Sequence, residues 1–67
     1  MKVSKLENGQ FEVKHENLIL TQTIINGEKY NDCSVYNGEY YEIVSSFDDR
    51  FKPLFIALYH FKIKYEI

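Results

Sequence analysis

Three Asn-Gly dipeptides, at residues 8–9, 26–27 and 37–38, contain all the glycine in this chain of 67 residues. Asn-Gly readily supplies the two positive φ angles of a type I′ turn, which makes it the strongest short-range signal for a β-hairpin. Glu16-Asn17 is a further candidate for a tight turn. The segments between these turns have the length of strands and are rich in β-branched and aromatic residues. The sequence therefore predicts an antiparallel meander of five strands, near residues 2–7, 10–15, 18–25, 28–36 and 39–45.

Two-residue loops at these four turns also predict the register of the sheet, because directly opposed residues share a face. The register places Lys5 opposite Glu12 and Gln22 opposite Asn31. It separates the side chains into a mostly apolar face and a mostly polar face, which supports the turn assignments. The pairs predicted nearest the turns are Leu6–Phe11, His15–Leu18, Ile24–Lys29 and Val35–Tyr40.

The last third of the chain carries two competing patterns. Pro53 argues against one long helix over the whole segment, because a proline in a helix interior costs about 3 kcal/mol. From Tyr59 to Ile67 apolar and polar residues alternate as in a half-buried strand. We therefore expect a mainly β fold with a helical turn near 46–52 and a sixth strand; the alternative is an α+β fold with a C-terminal helix packed on the sheet. The helical pattern comprises the apolar residues Phe47, Phe51, Leu54, Phe55, Leu58 and Phe61, with Ser46 as a possible N-cap and Asp48-Asp49 in the first turn.

Composition limits the kind of protein this can be. A chain of 8.0 kDa that is 45% hydrophobic and 27% charged is expected to form one globular domain over residues 1–67. The single cysteine, Cys33, cannot form an internal disulfide, and there is no pattern of a signal peptide or membrane span. These features predict a cytoplasmic protein with no membrane partner. The excess of lysine over arginine, with abundant Ile, Asn and Tyr, indicates an AT-rich genome such as that of a low-GC bacterium or its phage.

Residues capable of catalysis or metal binding are few. Cys33 and His15 share a face in the predicted register, yet two strand spacings of about 9.6 Å separate them, too far for a nucleophile and its base. No spacing of Cys and His matches a metal site, and Asp48-Asp49 is more typical of a helix start than of a cation loop. We therefore expect neither an enzyme nor a cofactor.

The polar face of strands three to five is the best candidate for a binding surface. Tyrosine offers a large rigid contact area and a hydroxyl at low entropic cost, and Tyr with Ser recurs in protein-binding surfaces. Residues 16–49 carry seven acids and one lysine, a net charge of −6, which suits a basic partner. The predicted function is binding and occlusion of another protein, as a small inhibitor would do. The predicted binding residues are Thr21, Thr23, Tyr30, Asp32, Ser34, Tyr36, Glu39 and Tyr41.

Two other functions remain open at this point. A chain this small gains burial from self-association, so a structural homo-oligomer, such as a homodimer, is one alternative. The other is weak nucleic-acid binding through a basic C-terminal segment, although a net charge of −2 argues against nucleic acid as a partner. The cationic residues of that segment are Arg50, Lys52, His60, Lys62 and Lys64.

Overall fold

The computed structural model describes residues 1–66, with the side chains of residues 1–64. Five strands form one antiparallel sheet in the order β1-β2-β3-β4-β5, so each strand pairs with the next in the chain. A short 3₁₀ helix and one α-helix follow the sheet. The predicted five-stranded meander is therefore confirmed. The elements are β1 (Lys2–Lys5), β2 (Gln10–His15), β3 (Leu18–Ile25), β4 (Glu28–Tyr36), β5 (Tyr41–Val44), the 3₁₀ helix (Asp49–Phe51) and α1 (Lys52–Glu66).

The two central hairpins have the predicted register. Asn26 and Gly27 have φ angles of +53° and +81°, as a type I′ turn requires, and Ile24 pairs with Lys29. In the β2–β3 hairpin, Glu16 takes the positive φ angle, and His15 pairs with Leu18. The predicted pair Gln22–Asn31 is present, and the Gln22 amide donates a hydrogen bond of 2.9 Å to the Asn31 side-chain oxygen.

The first hairpin has a loop one residue longer than predicted. The Leu6 N–H donates to the Gln10 carbonyl at 2.7 Å, and the Gly9 N–H donates to the Leu6 carbonyl at 3.3 Å. Gly9, at φ +82°, is thus the left-handed residue of a three-residue loop. The predicted pairs Leu6–Phe11 and Lys5–Glu12 are wrong, since a shift of one residue turns every side chain of β1 to the other face.

The register of β1 seen in the structure brings Val3 against the core, which the predicted register would not have done. Val3 now lies opposite Val13, and Lys5 lies opposite Phe11 with its ammonium nitrogen 6.0 Å from the ring centroid. The predicted register would have turned Ser4 toward the apolar face; in the structure Ser4 pairs with Glu12 on the polar face.

The last hairpin has a four-residue loop over residues 37–40. The Asn37 side-chain oxygen accepts hydrogen bonds from the N–H groups of Glu39 and Tyr40, at 2.9 and 3.1 Å. These bonds stabilise a loop that is two residues longer than predicted. The predicted pair Val35–Tyr40 is therefore wrong, and Val35 lies opposite Glu42. A shift of two residues keeps each side chain on its predicted face, because the side-chain period of a strand is two.

The C-terminal segment is helical, so the predicted sixth strand is wrong and the alternative, an α+β fold with a C-terminal helix on the sheet, is correct. Because α1 begins at Lys52, Pro53 lies in its first turn, where a backbone N–H has no acceptor within the helix. The residues that alternate from Tyr59 to Glu66 therefore lie in a helix and not in a strand. Ile67, the last residue of the predicted strand, lies outside the described residues.

The start of the helical segment is capped by Asp48, and not by Ser46 as predicted. Asp48 has an extended backbone, and its carboxylate accepts the Arg50 N–H at 3.0 Å and two guanidinium hydrogen bonds at 3.0 and 2.7 Å. Phe47, predicted in the apolar set, is 91% exposed because it precedes the cap.

Helix α1 covers the apolar face of the sheet and packs mainly on β2 and β1. The rings of Phe11 and Phe61 meet edge to face, with centroids 6.3 Å apart. Residues 24–32 are all exposed, so the tip of the β3–β4 hairpin projects beyond the core. Among residues 1–66, no helix is long and apolar enough to cross a bilayer. The buried core consists of Phe11, Val13, Leu18, Leu20, Cys33, Val35, Phe51, Leu54 and Leu58.

Candidate functional site

The predicted binding residues lie on the sheet face opposite α1. Side chains alternate along each strand, and the core side chains Leu20, Cys33 and Val35 point toward the helix. Their neighbours along β3 and β4 therefore point away from it, into solvent. We call this surface the tyrosine face; it consists of Thr21, Thr23, Tyr30, Asp32, Ser34, Tyr36 and Tyr41.

An aromatic pair forms one end of the tyrosine face. Tyr36 and Tyr41 are directly opposed on β4 and β5, with ring centroids 5.0 Å apart and ring planes at 48°. They are 39% and 54% exposed, and the Tyr36 hydroxyl donates to the Gly38 carbonyl at 3.0 Å. Ile43, which pairs with Ser34 in the next row of this face, is 84% exposed. This end therefore offers two neighbouring aromatic rings and an aliphatic side chain to solvent.

Tyr30 forms the other end of the face, at the projecting hairpin. Its hydroxyl donates a hydrogen bond of 2.7 Å to the Glu28 carboxylate, which raises the pKa of Tyr30 because a phenolate could not donate this bond; desolvation raises it further. Tyr30 is 48% exposed, and Ile25 beside it is 53% exposed. The ring is thus neutral at ordinary pH and lies next to an aliphatic surface.

Short polar side chains occupy the space between the two ends. Thr21 pairs with Asp32, and Thr23 pairs with Tyr30. The Thr23 hydroxyl accepts a hydrogen bond of 3.0 Å from the Gln10 side chain on β2. These groups give the middle of the face hydrogen-bonding capacity and one negative charge.

Glu39 does not belong to the tyrosine face. It was predicted opposite Tyr36, but the longer loop places it at residues 37–40, and Tyr41 occupies that position. The acidic side chains on the face are Glu28 and Asp32 on β4 and Glu12 on β2, which pairs with Thr21. The Lys14 ammonium lies 3.7 Å from the Glu12 carboxylate and offsets its charge, so the negative charge of the face is mainly that of β4.

The other candidates are placed elsewhere. Cys33 is 1% exposed, and its burial raises the pKa of its thiol, with smaller contributions from the Asp32 and Asp48 carboxylates. His15 lies at the end of β2, next to Glu16, with a nitrogen–oxygen distance of 3.9 Å. Within residues 1–66, no group of three or more His, Cys, Asp and Glu side chains could hold a metal ion.

The basic C-terminal residues do not form one patch with free charges. Arg50 is 2.7 Å from the Asp48 carboxylate, and Lys52 is 3.5 Å from that of Asp49. Lys62 points toward the sheet, where its ammonium donates to the Gln22 side chain at 2.9 Å. His60 and Lys64 are exposed on α1.

No protein-family model, curated protein or solved structure matches this chain at a significant level.

One surface was missed by the sequence analysis: a groove between α1 and the β3–β4 hairpin. The periodicity over residues 52–66 contained the signal for it, because a helix there places Phe55, Tyr59 and Lys62 on neighbouring turns. Because the sequence analysis favoured a sixth strand over residues 59–67, it did not place these side chains together.

Proposed function

We propose that this protein is a non-enzymatic interaction module that binds and occludes another protein through the tyrosine face. The observation that carries the proposal is that α1 covers the opposite side of the sheet, while Tyr36, Tyr41 and Ile43 stay exposed on strands β4 and β5. Exposed aromatic side chains held in fixed rotamers lose little entropy on binding and are the usual anchors of protein interfaces.

The composition of the face favours a protein as its ligand. The face is the open surface of three neighbouring strands, whereas small-molecule sites are concave pockets. Aromatic and aliphatic groups at each end, with Thr and Ser hydroxyls between them, match the mixed character of protein interfaces. Glu28 and Asp32 make a partner with a basic rim the best match. An 8.0 kDa inhibitor of bacterial or phage origin, which acts by covering its target, would have this design.

The test is a comparison of two double variants as baits immobilised on beads in a bacterial lysate. Tyr36→Ala/Tyr41→Ala removes the aromatic pair, and Tyr40→Ala/Tyr59→Ala removes two tyrosines of similar exposure, 57% and 64%, from other surfaces. We expect a protein retained by the wild type and by the control variant to be lost from the Tyr36→Ala/Tyr41→Ala bait. Retention by this bait, or loss from the control bait alone, would contradict the proposal.

A single substitution on the face distinguishes loss of binding from loss of folding. Ile43→Lys changes a side chain that is 84% exposed, so the fold should tolerate it, while a buried lysine at an interface is costly. Circular dichroism should show the wild-type spectrum for all variants, and Ile43→Lys should also lose the retained protein.

A further inference from the structure

A concave surface lies on the side of the sheet that carries α1, away from the tyrosine face. The projecting β3–β4 hairpin and the helix enclose a groove of about 520 Å³. This volume lies within the range of about 300–1,000 Å³ that is typical of small-molecule sites. Its lining consists of Gln22, Ile24, Gly27, Lys29, Phe55, Leu58, Tyr59, Lys62 and Ile63.

Most of the lining is apolar and comes from both walls. Ile24 on the hairpin faces Phe55, Tyr59 and Ile63 on the helix, and Leu58, 2% exposed, lies at the bottom. Ile24 and Ile63 are 39% and 40% exposed, so an apolar ligand in the groove would remove them from water.

The groove is lined by two lysines, Lys29 and Lys62, and a buried amide positions the ammonium of Lys62. Gln22 is the buried polar side chain of the described core, at 6% exposure. Its nitrogen donates to Asn31 at 2.9 Å, and its oxygen accepts from the Lys62 ammonium at 2.9 Å. The same ammonium lies 5.0 Å from the centroid of the Phe11 ring, a cation–π contact. Lys62 is thus held at the groove wall by groups that are themselves fixed by the sheet.

Both walls of the groove carry a lysine. Lys29 lines the hairpin wall and Lys62 the helix wall, and no carboxylate is among the lining residues that the structure describes. An apolar groove with two ammonium groups is complementary to an anion that carries an apolar chain.

We propose that this groove binds an amphipathic carboxylate, with the carboxylate near Lys29 and Lys62 and the chain between Ile24, Phe55 and Ile63. This site is independent of the tyrosine face, because the two surfaces lie on opposite sides of the sheet. Burial of the chain raises affinity by up to about fourfold for each methylene.

The probe is a titration of the ¹⁵N-labelled protein with octanoate and decanoate below their micelle concentrations. We expect saturable shift changes at the backbone amides of residues 22–29 and 55–63, with tighter binding of decanoate. Octylammonium, which has the same chain and the opposite charge, should bind at least tenfold more weakly than octanoate. Equal affinity for the two head groups, or shifts centred on the tyrosine face, would overturn the proposal.

Two lysine substitutions in the groove, with a third outside it as a control, test whether binding depends on the groove or on the net charge of the protein. Lys29→Gln changes an exposed groove residue without touching the core, and it should weaken octanoate binding about threefold or more. Lys62→Gln should do the same, while Lys64→Gln, on the exposed side of the helix, should leave the affinity unchanged. If Lys29→Gln and Lys64→Gln have equal effects, the groove is not the site.

Discussion

At the scale of single residues, Asp48 joins the sheet to the helical segment. Its carboxylate caps the 3₁₀ helix through the Arg50 N–H and also binds the Arg50 guanidinium through both oxygens. These bonds favour the ionised carboxylate and lower the pKa of Asp48 from its ordinary 3.8 to about 2. The junction between strand and helix therefore depends on one ionised side chain.

This lowered pKa predicts an acid-dependent loss of stability. Because the folded state holds the proton less tightly than the unfolded state, the contribution of Asp48 is complete above pH 3.8 and is lost as the pH falls through about 2. Asp48→Asn keeps an oxygen acceptor for the cap and removes the charge. We expect the melting temperature of this variant to lie below that of the wild type at pH 6 and to converge with it near pH 2.

The neighbouring carboxylate provides the control for that measurement. The Asp49 side chain is 87% exposed, and its carboxylate lies 3.5 Å from the Lys52 ammonium. Since exposed pairs stabilise proteins little, Asp49→Asn should have a small effect. A difference between wild type and Asp48→Asn that stays constant from pH 6 to pH 2 would show that the charge of Asp48 does not stabilise the junction.

At the scale of elements, the three Asn-Gly dipeptides close three different loops. Gly27 is in a two-residue turn, Gly9 ends a three-residue loop, and Gly38 lies in a four-residue loop. The dipeptide supplies a positive φ angle in each case, but the hydrogen bonds of neighbouring groups decide the loop length. For this reason the strands could be predicted from the sequence, whereas the registers of β1 and β5 could not.

The turn at Gly27 allows a direct test of this role of glycine. A Cβ at Gly27 would meet no atom within 4 Å, so a substitution there changes the backbone energy alone. We expect Gly27→Ala to lower the free energy of unfolding by about 1–2 kcal/mol, because the left-handed region is unfavourable for a side chain. Gly27→Asn should cost less, since Asn tolerates that region. Equal losses in urea denaturation would contradict this explanation.

The C-terminal helix shows where sequence periodicity failed and why. Alternation from Tyr59 to Ile67 favoured a strand, and Pro53 argued against a helix that began at Ser46. The cap at Asp48 moves the start of the helical segment, so Pro53 falls in the first turn of α1. Packing against the sheet then favours a helix over a strand, because Leu54 and Leu58 of α1 are buried in the core that the helix shares with the sheet. That packing is not visible in local sequence.

At the scale of the whole molecule, one helix on one face of the sheet determines what remains accessible. The predicted tyrosine face lies on the uncovered side, with seven of its eight predicted residues on β3 to β5 and Glu39 in a loop. The composition of the face could be predicted from the pairing of β3 and β4. The groove beside α1 could not, because it requires the position of the helix.

The core between helix and sheet should make folding a single cooperative event. Leu54 is fully buried between α1 and the sheet, and truncation of such a residue costs about 2–5 kcal/mol. A core of this size supplies about 3–5 kcal/mol in total, so Leu54→Ala should unfold much of the population at 25 °C. The control is Ile56→Ala, on the same helix at 59% exposure, with an expected change below about 0.5 kcal/mol. Loss of the helix signal alone, with an intact sheet, would contradict a shared core.

The proposed function requires that the tyrosine face is open to a different protein and is not used for self-association. The most direct measurement is the solution mass by light scattering behind a sizing column, over a hundredfold range of concentration. We predict 8.0 kDa at every concentration, for the wild type and for Tyr36→Ala/Tyr41→Ala alike. A stable dimer of the wild type that the double variant reduces to a monomer would contradict the claim, because a second copy of the chain would then occupy the face.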